Sequence, residues 1–180
     1  MNDTITLRQL AKSYKKKCAL KPLSVAIPHG KFLLSGRNGV GKTTLFKLIL
    51  NEIILDGGVI EVPKTFKIGS VSQEVPSTEE TLLDTVLSSD IERSKLLHET
   101  QVEKDPNKIA EIHTRLSDIN AYSAEARASS ILNGLGFNKD DILKPCSSFS
   151  GGWRMRVALA SVLFSNPELL LLDEPTNYLD

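Results

Sequence analysis

The stretch Gly36-Arg37-Asn38-Gly39-Val40-Gly41-Lys42-Thr43 constrains this chain more than any other, because it fits G-x-x-x-x-G-K-[ST] at every fixed position. A loop of that composition can wrap closely enough for its backbone N–H groups to converge on a phosphate as an anion nest. The helix expected to follow adds the positive end of its dipole. Lys42 supplies a point charge for β- and γ-phosphates, and the Thr43 hydroxyl is a ligand for Mg²⁺. A chance Gly-rich turn is the competing reading, and a match in a chain this long arises by chance on the order of once in two hundred sequences. The context decides for nucleotide binding. Phe32-Leu33-Leu34 before the loop reads as a strand buried on both faces, and a helix from about Lys42 presents Leu45, Leu48 and Ile49 on one face.

Two further elements carry chemistry. Leu169-Leu170-Leu171-Leu172 reads as a strand buried on both faces, and it ends in Asp173-Glu174. Two acids there would be costly without a task. With the phosphate loop present, Asp173 is the acid expected in the Mg²⁺ shell, and Glu174 is placed to orient or deprotonate the attacking water. In Phe149-Ser150-Gly151-Gly152-Trp153-Arg154-Met155-Arg156, Ser150 is a good helix cap and the two glycines leave backbone open at the helix start. That makes a second phosphate-binding surface, distinct from the first, although capping chemistry alone would also explain Ser150.

The remainder of the chain supplies the framework. Alternation through Ile5, Leu7 and Leu10 predicts a half-buried strand, and Leu23 to Ile27 a second one closed by Pro28-His29-Gly30. Gly57-Gly58 reads as a tight turn into a strand at Val59 to Val62, with another over about Phe66 to Val71. From about Thr78 to Leu135 the texture is helical. Asp105-Pro106 is a helix start, Ile109, Ile112, Leu116 and Ile119 follow a short seam-like spacing, and Ala124, Ala128, Ile131 and Leu135 continue to a stop at Gly134 and Gly136.

Composition excludes several function classes. Lys+Arg and Asp+Glu both number 22, so no global positive field draws the chain to nucleic acid or anionic lipid. The cluster Lys15, Lys16, Lys17 and Lys21 reads as a solvated loop. Cys18 and Cys146 lack metal-ligand spacing and read as thiols of a reducing cytoplasm; His29, His98 and His113 read as solvent-facing. No signal peptide is visible, and no apolar run approaches the ~20 residues of a membrane span. The expectation is a cytoplasmic protein with no membrane span and no DNA sequence recognition.

Taken together, Gly36 to Thr43, Ser150-Gly151-Gly152 and Asp173-Glu174-Pro175-Thr176-Asn177 resemble an ATP-binding cassette ATPase over essentially the whole chain. The resemblance implies an α/β fold: a P-loop NTPase cassette core, with a parallel sheet plus N-terminal antiparallel strands, and an inserted helical subdomain. Residues 1–77 and 146–180 would form the nucleotide-binding core. Residues 78–145 would form the helical subdomain, with a short arm-like insertion near Asp90 to Ile119. The implied ligands are ATP and Mg²⁺. Tyr14 would stack on adenine, Gly36, Arg37, Asn38, Gly39, Val40, Gly41, Lys42, Thr43 and Thr44 would hold the phosphates, and Gln73 would lie near Mg²⁺ and water. Thr43, Gln73 and Asp173 would hold the metal, partly through water, with Glu174 catalytic. Ser150, Gly151 and Gly152 would face the ATP of a second cassette, which Asp180 would also touch.

The runs Phe149 to Arg156 and Glu174 to Asn177 are similar to the ABC-F group, in particular its bacterial Uup/YheS-like members, as an N-terminal cassette. That likeness implies a second cassette in the same polypeptide and a role in translation with the ribosome and tRNA as partners. Tyr178 departs from the group, which usually has His there. The other readings are the ATP-binding subunit of a membrane transporter and a non-catalytic remnant. The sequence stops at Asp180, before the strand and switch histidine that the family implies. The expectation is therefore a cassette incomplete at its C-terminus, from an artificially shortened chain, a split gene or a decayed one, and inactive in turnover by itself.

Overall fold

The computed structural model describes residues 4–15, 17–28, 39–63, 66–71 and 77–172. These divide into two compact units, one with the described residues through Ile68 and from Pro167 onward, the other with Gly69–Asn166.

The first unit is built on an antiparallel sheet in the order β2-β1-β3. Strand β1 covers Ile5–Tyr14, β2 Lys17–Ile27 and β3 Gly57–Glu61. Alternation along β1 puts Ile5 and Leu7 in the core, as the sequence predicts, and Leu10 joins them after an irregularity. Both early strands run longer than expected. The β1–β2 pairing continues to Tyr14 opposite Lys17, so Lys17 and Lys21 lie in β2 while Lys15 sits at a turn, with φ of 55°. Lys16 lies outside the described residues, and Lys17 and Lys21 are strand, not loop, because the hairpin zips past Tyr14.

Gly57-Gly58 is likewise not a turn but the start of β3. The chain reverses earlier, and Asp56 N–H donates to the Ala11 carbonyl at 3.2 Å. Strand β1 carries an extra residue between Arg8 and Ala11 relative to β3, with Gln9 at a φ of 50°. Opposite this bulge Gly58 adopts φ of 89°, where a Cβ would overlap the carbonyl oxygens of Arg8 and Gln9. Helix α1, Lys42–Ile49, buries Leu45, Leu48 and Ile49 against this core, the face the spacing predicts. Ile68, at the end of this unit, opens the short strand β4, Ile68–Ser70, and at the start of β5, Leu169–Leu171, Leu169 N–H donates to the Lys67 carbonyl at 3.2 Å. Only Leu171 of β5 is fully buried; Leu169 and Leu170 are half-buried, short of the two-sided burial expected.

The second unit is helical. It contains α2, Leu82–Leu87, α3, Ile91–Val102, α4, Pro106–Asp118, α5, Ala124–Gly134, and α6, Gly151–Phe164. Each of α2, α3 and α4 starts on a side-chain cap: Thr81, Asp90 and Asp105 accept from the backbone N–H of Asp84, Arg93 and Asn107. Pro106 stands at the first helical position, as read from sequence. The core joins Leu82 and Val86 of α2, Ala124, Ala128 and Leu132 of α5, and Val157, Ala160 and Phe164 of α6. Each large side chain buried there contributes about 1.5–3 kcal/mol. Helices α3 and α4 pack on each other, tied by Arg115 to Glu92 at 2.6 Å. Of the seam residues only Leu116 is fully buried, so this pair is a small packed hairpin and not a coiled coil.

The two adjacent glycines of β3 should respond differently to an added methyl. Gly58→Ala should destabilise the protein by about 1–3 kcal/mol, because the positive φ and the opposing carbonyls leave no room. Gly57→Ala, with nothing within 4 Å of its Cβ position, should stay within about 0.5 kcal/mol. Urea unfolding of both variants measures the contrast, and equal midpoints would contradict the bulge.

Candidate functional site

The described part of the Gly-rich loop lies at the head of α1. Gly39 and Gly41 adopt φ of 82° and 99°, and Gly41 takes the position before the first helical residue. Lys42, Thr43 and Thr44 form the first turn of α1, where the positive end of the helix dipole favours a bound anion. Thr43 is exposed, Lys42 and Thr44 are half-buried, and Val40 is exposed beside them. Helix α1 has no acidic residue in its first turn. Gly36, Arg37 and Asn38 lie outside the described residues, as do Gln73, Asp173, Glu174 and Asp180.

A feature the sequence did not show fixes this turn in place. On β1 Lys12 pairs with Leu20 and Ser13 with Cys18, so Ala19 is an extra residue on β2, a β-bulge. A Cβ on Gly41 would lie 2.5 Å from the Ala19 carbonyl oxygen. The backbones therefore approach as closely as only glycine permits. The same hairpin carries Tyr14 at the end of β1, 48% exposed, with the Lys12 Nζ 5.6 Å from its ring centroid. The structure thus brings the residue read as an adenine platform onto the hairpin that buttresses the turn before α1.

Ser150, Gly151 and Gly152 open α6 and are all exposed. Ser150 has the extended backbone of a cap, φ −65° and ψ 163°, but its side chain makes no cap hydrogen bond, contrary to the capping role read from sequence. Nothing lies within 4 Å of a Cβ built on Gly151 or Gly152. Among the described residues, this helix start is open.

What holds it is a cluster that sequence reasoning missed. Helix α5 ends with Gly136 at φ of 97°; Gly136 N–H donates to the Asn133 carbonyl and Phe137 N–H to that of Leu132, at 3.0 and 3.1 Å. This is the two-bond left-handed cap that glycine makes possible, and it turns Phe137 inward. The Phe137 ring meets Phe149 edge-on at 5.7 Å and Trp153 at 5.0 Å. The Arg156 guanidinium lies 4.7 Å from the Trp153 ring and donates to the Leu135 carbonyl at 3.3 Å. Arg154 donates to the carbonyl of Phe149 at 3.2 Å, the residue just before Ser150. The pairing of Gly136 and Phe137 with an aromatic-arginine run at 149–156 is the signal that could have found it.

The other candidates resolve simply. No disulfide joins exposed Cys18 and buried Cys146, and burial pushes the Cys146 thiol above its usual range, against a smaller pull from Arg154. His98 and His113 are exposed, with His113 Nδ1 2.9 Å from the Tyr122 hydroxyl; His29 lies outside the described residues. Among the described residues no group of three or more His, Cys, Asp or Glu could hold a metal, and no helix is long and apolar enough to cross a membrane.

Comparison with known proteins adds the following. The family described as "ABC transporter" matches residues 20–177. The chain is 45% identical over 156 residues to "Probable ATP-binding protein YheS" of Escherichia coli K12, covering 85% of this chain and 24% of that protein. It is 43% identical over 195 residues to "ABC transporter F family member 4" of Arabidopsis thaliana, covering 98% of this chain and 26% of that one. The chain thus spans about a quarter of the length of these relatives. The structure of the ATP-binding cassette MJ0796 in a dimeric post-hydrolysis state bound to ADP and Pi shares the fold, with a TM-score of 0.65 at 23% identity over 98% of this chain and 76% of that one.

Gly41→Ala should displace the phosphate turn from the Ala19 carbonyl and weaken ATP binding at least tenfold, about 1.4 kcal/mol. The helical unit should keep its fold. Titration calorimetry and circular dichroism read the two quantities, and unchanged affinity would contradict the close approach.

Proposed function

The chain belongs to the ABC transporter family of ATP-binding cassettes, and on that premise we propose that it binds and hydrolyses Mg-ATP as the first cassette of a two-cassette cytoplasmic protein acting at the ribosome. In this reading Tyr14 stacks on adenine, and the loop from Gly36 to Thr44 wraps the phosphates with its N–H groups and the Lys42 ammonium. Thr43, Gln73 and Asp173 supply hard oxygen donors, a set that suits Mg²⁺. The exposure of Thr43 on the first turn of α1 fits that role. The ion would neutralise charge on the β- and γ-phosphates. Glu174 accepts a proton from the attacking water, and the products are ADP and phosphate.

The observation that carries the two-cassette part is the open start of α6. Its N–H groups and two unobstructed glycines form an anion-binding surface, and the Phe137-Trp153-Arg156 cluster holds that turn rigidly. Such a surface contributes to hydrolysis when it faces the γ-phosphate of ATP held on another cassette, with Asp180 alongside. Preorganised donors of that kind are each worth ~10²–10³ in rate. The ribosomal context is supported by the likeness of residues 149–156 and 174–177 to ABC-F proteins and by relatives of that group.

The test is Glu174→Gln in the protein carrying both cassettes. The substitution keeps shape and removes the base, so ATP binding should persist while turnover falls by ~10²–10⁴. The ATP-loaded variant should sediment with ribosomes. Turnover at the parent rate would remove Glu174 as the base, and recovery with membranes alone would overturn the ribosomal context.

A further inference from the structure

The end of β1 is gripped by a residue from a different part of the chain. Asp56 stands where the segment leaving α1 turns into β3. Its carboxylate accepts from Lys12 Nζ at 2.7 Å and from Ser13 N–H at 2.7 Å, and its own N–H donates to the Ala11 carbonyl at 3.2 Å. Three bonds thus fall on three consecutive residues, Ala11, Lys12 and Ser13, immediately before Tyr14.

Lys12 is more than a solvated charge. Its side chain is only 13% exposed, against 45% for Asp56. Lys12 and Tyr14 are two apart on β1 and share a face of the strand, which brings the ammonium 5.6 Å from the ring centroid. That is within cation–π range, and Tyr14 as a whole remains 48% exposed. An isolated surface ion pair contributes little to stability. This pair has a different consequence, since it limits the ways the tyrosine ring can turn.

We propose that Lys12 and Asp56 form a brace that positions the Tyr14 ring for the nucleotide base, an inference that rests on Tyr14 being the adenine platform. Lys12 and Asp56 are positioning residues, acting through Tyr14. The brace also sets the base end of the site against its phosphate end, because Asp56 follows directly on the segment leaving the phosphate helix. The hydrogen bond from Lys12, and then that from Ser13, hold the Asp56 carboxyl below its usual range.

The experiment compares two ligands on the full chain, ATP and inorganic tripolyphosphate, which lacks a base. Lys12→Met keeps the aliphatic stem and removes the charge. It should weaken ATP about three- to five-fold, leave tripolyphosphate unchanged, and cause no further loss when added to Tyr14→Ala. Asp56→Asn retains an acceptor for Ser13 and should shift the same ratio in the same direction, which gives a second reading if Lys12→Met folds poorly. Parallel losses for both ligands in Asp56→Asn would show a general structural role and overturn the brace. So would an unchanged ATP affinity in both variants where Tyr14→Ala weakens it. If Tyr14→Ala leaves ATP affinity intact, the platform reading falls and the brace with it.

Discussion

The approach of Gly41 to the carbonyl of Ala19 is the contact on which the phosphate end of this fold depends. It requires two departures from regular geometry at once. Strand β2 must carry an extra residue at Ala19, and the residue before α1 must adopt a left-handed φ. Neither is favourable by itself for an ordinary residue. Together they seat the start of α1 against the β1–β2 hairpin with no side chain intervening. The helix then buries Leu45, Leu48 and Ile49 in the sheet's core, so its first turn is carried by a supported element. A phosphate site needs that rigidity, because donors fixed beforehand cost no reorganisation when charge arrives.

The helical unit meets a comparable demand by other means. The turn at Ser150 to Gly152 makes no side-chain cap bond and has open space at both glycines, so it is not anchored by its own side chains. Its fixation comes from both sides. Arg154 holds Phe149 from within α6, and the glycine-dependent end of α5 delivers Phe137 against Phe149 and Trp153. Arg156 closes the group by satisfying the Leu135 carbonyl, which the end of α5 would otherwise leave exposed. Charge and aromatic surface sit side by side here because guanidinium is weakly hydrated and stacks on ring faces.

Local chemistry was readable in the sequence. The apolar face of α1, the Asp105-Pro106 start of α4 and the glycine stop of α5 appear where spacing and capping rules put them. Of the two glycines fixed by the pattern, Gly41 is described and has a positive φ, and Gly39, at a variable position, has one too. The features that escaped are those created by pairing. Gly57-Gly58 looks like a turn in one dimension, and becomes a strand only because β1 bulges opposite it. The lysines after Tyr14 look like a loop until the hairpin register extends to Lys17. Ser150 looks like a side-chain cap, yet Thr81, Asp90 and Asp105 make the caps and Ser150 does not. The Lys12–Asp56 pair joins residues 44 apart and has no local signature at all.

The central claim is that one nucleotide lies along the first unit, with its phosphates at the head of α1 and its base at the β1–β2 hairpin. Hydrogen–deuterium exchange of the full chain, with and without Mg-ATP, tests this most directly. The account predicts slowed exchange in peptides covering 36–48 and 11–20, with no change across α3 and α4. Saturating Mg-ATP that leaves both of those peptides unaffected, or that protects only α3 and α4, would contradict it.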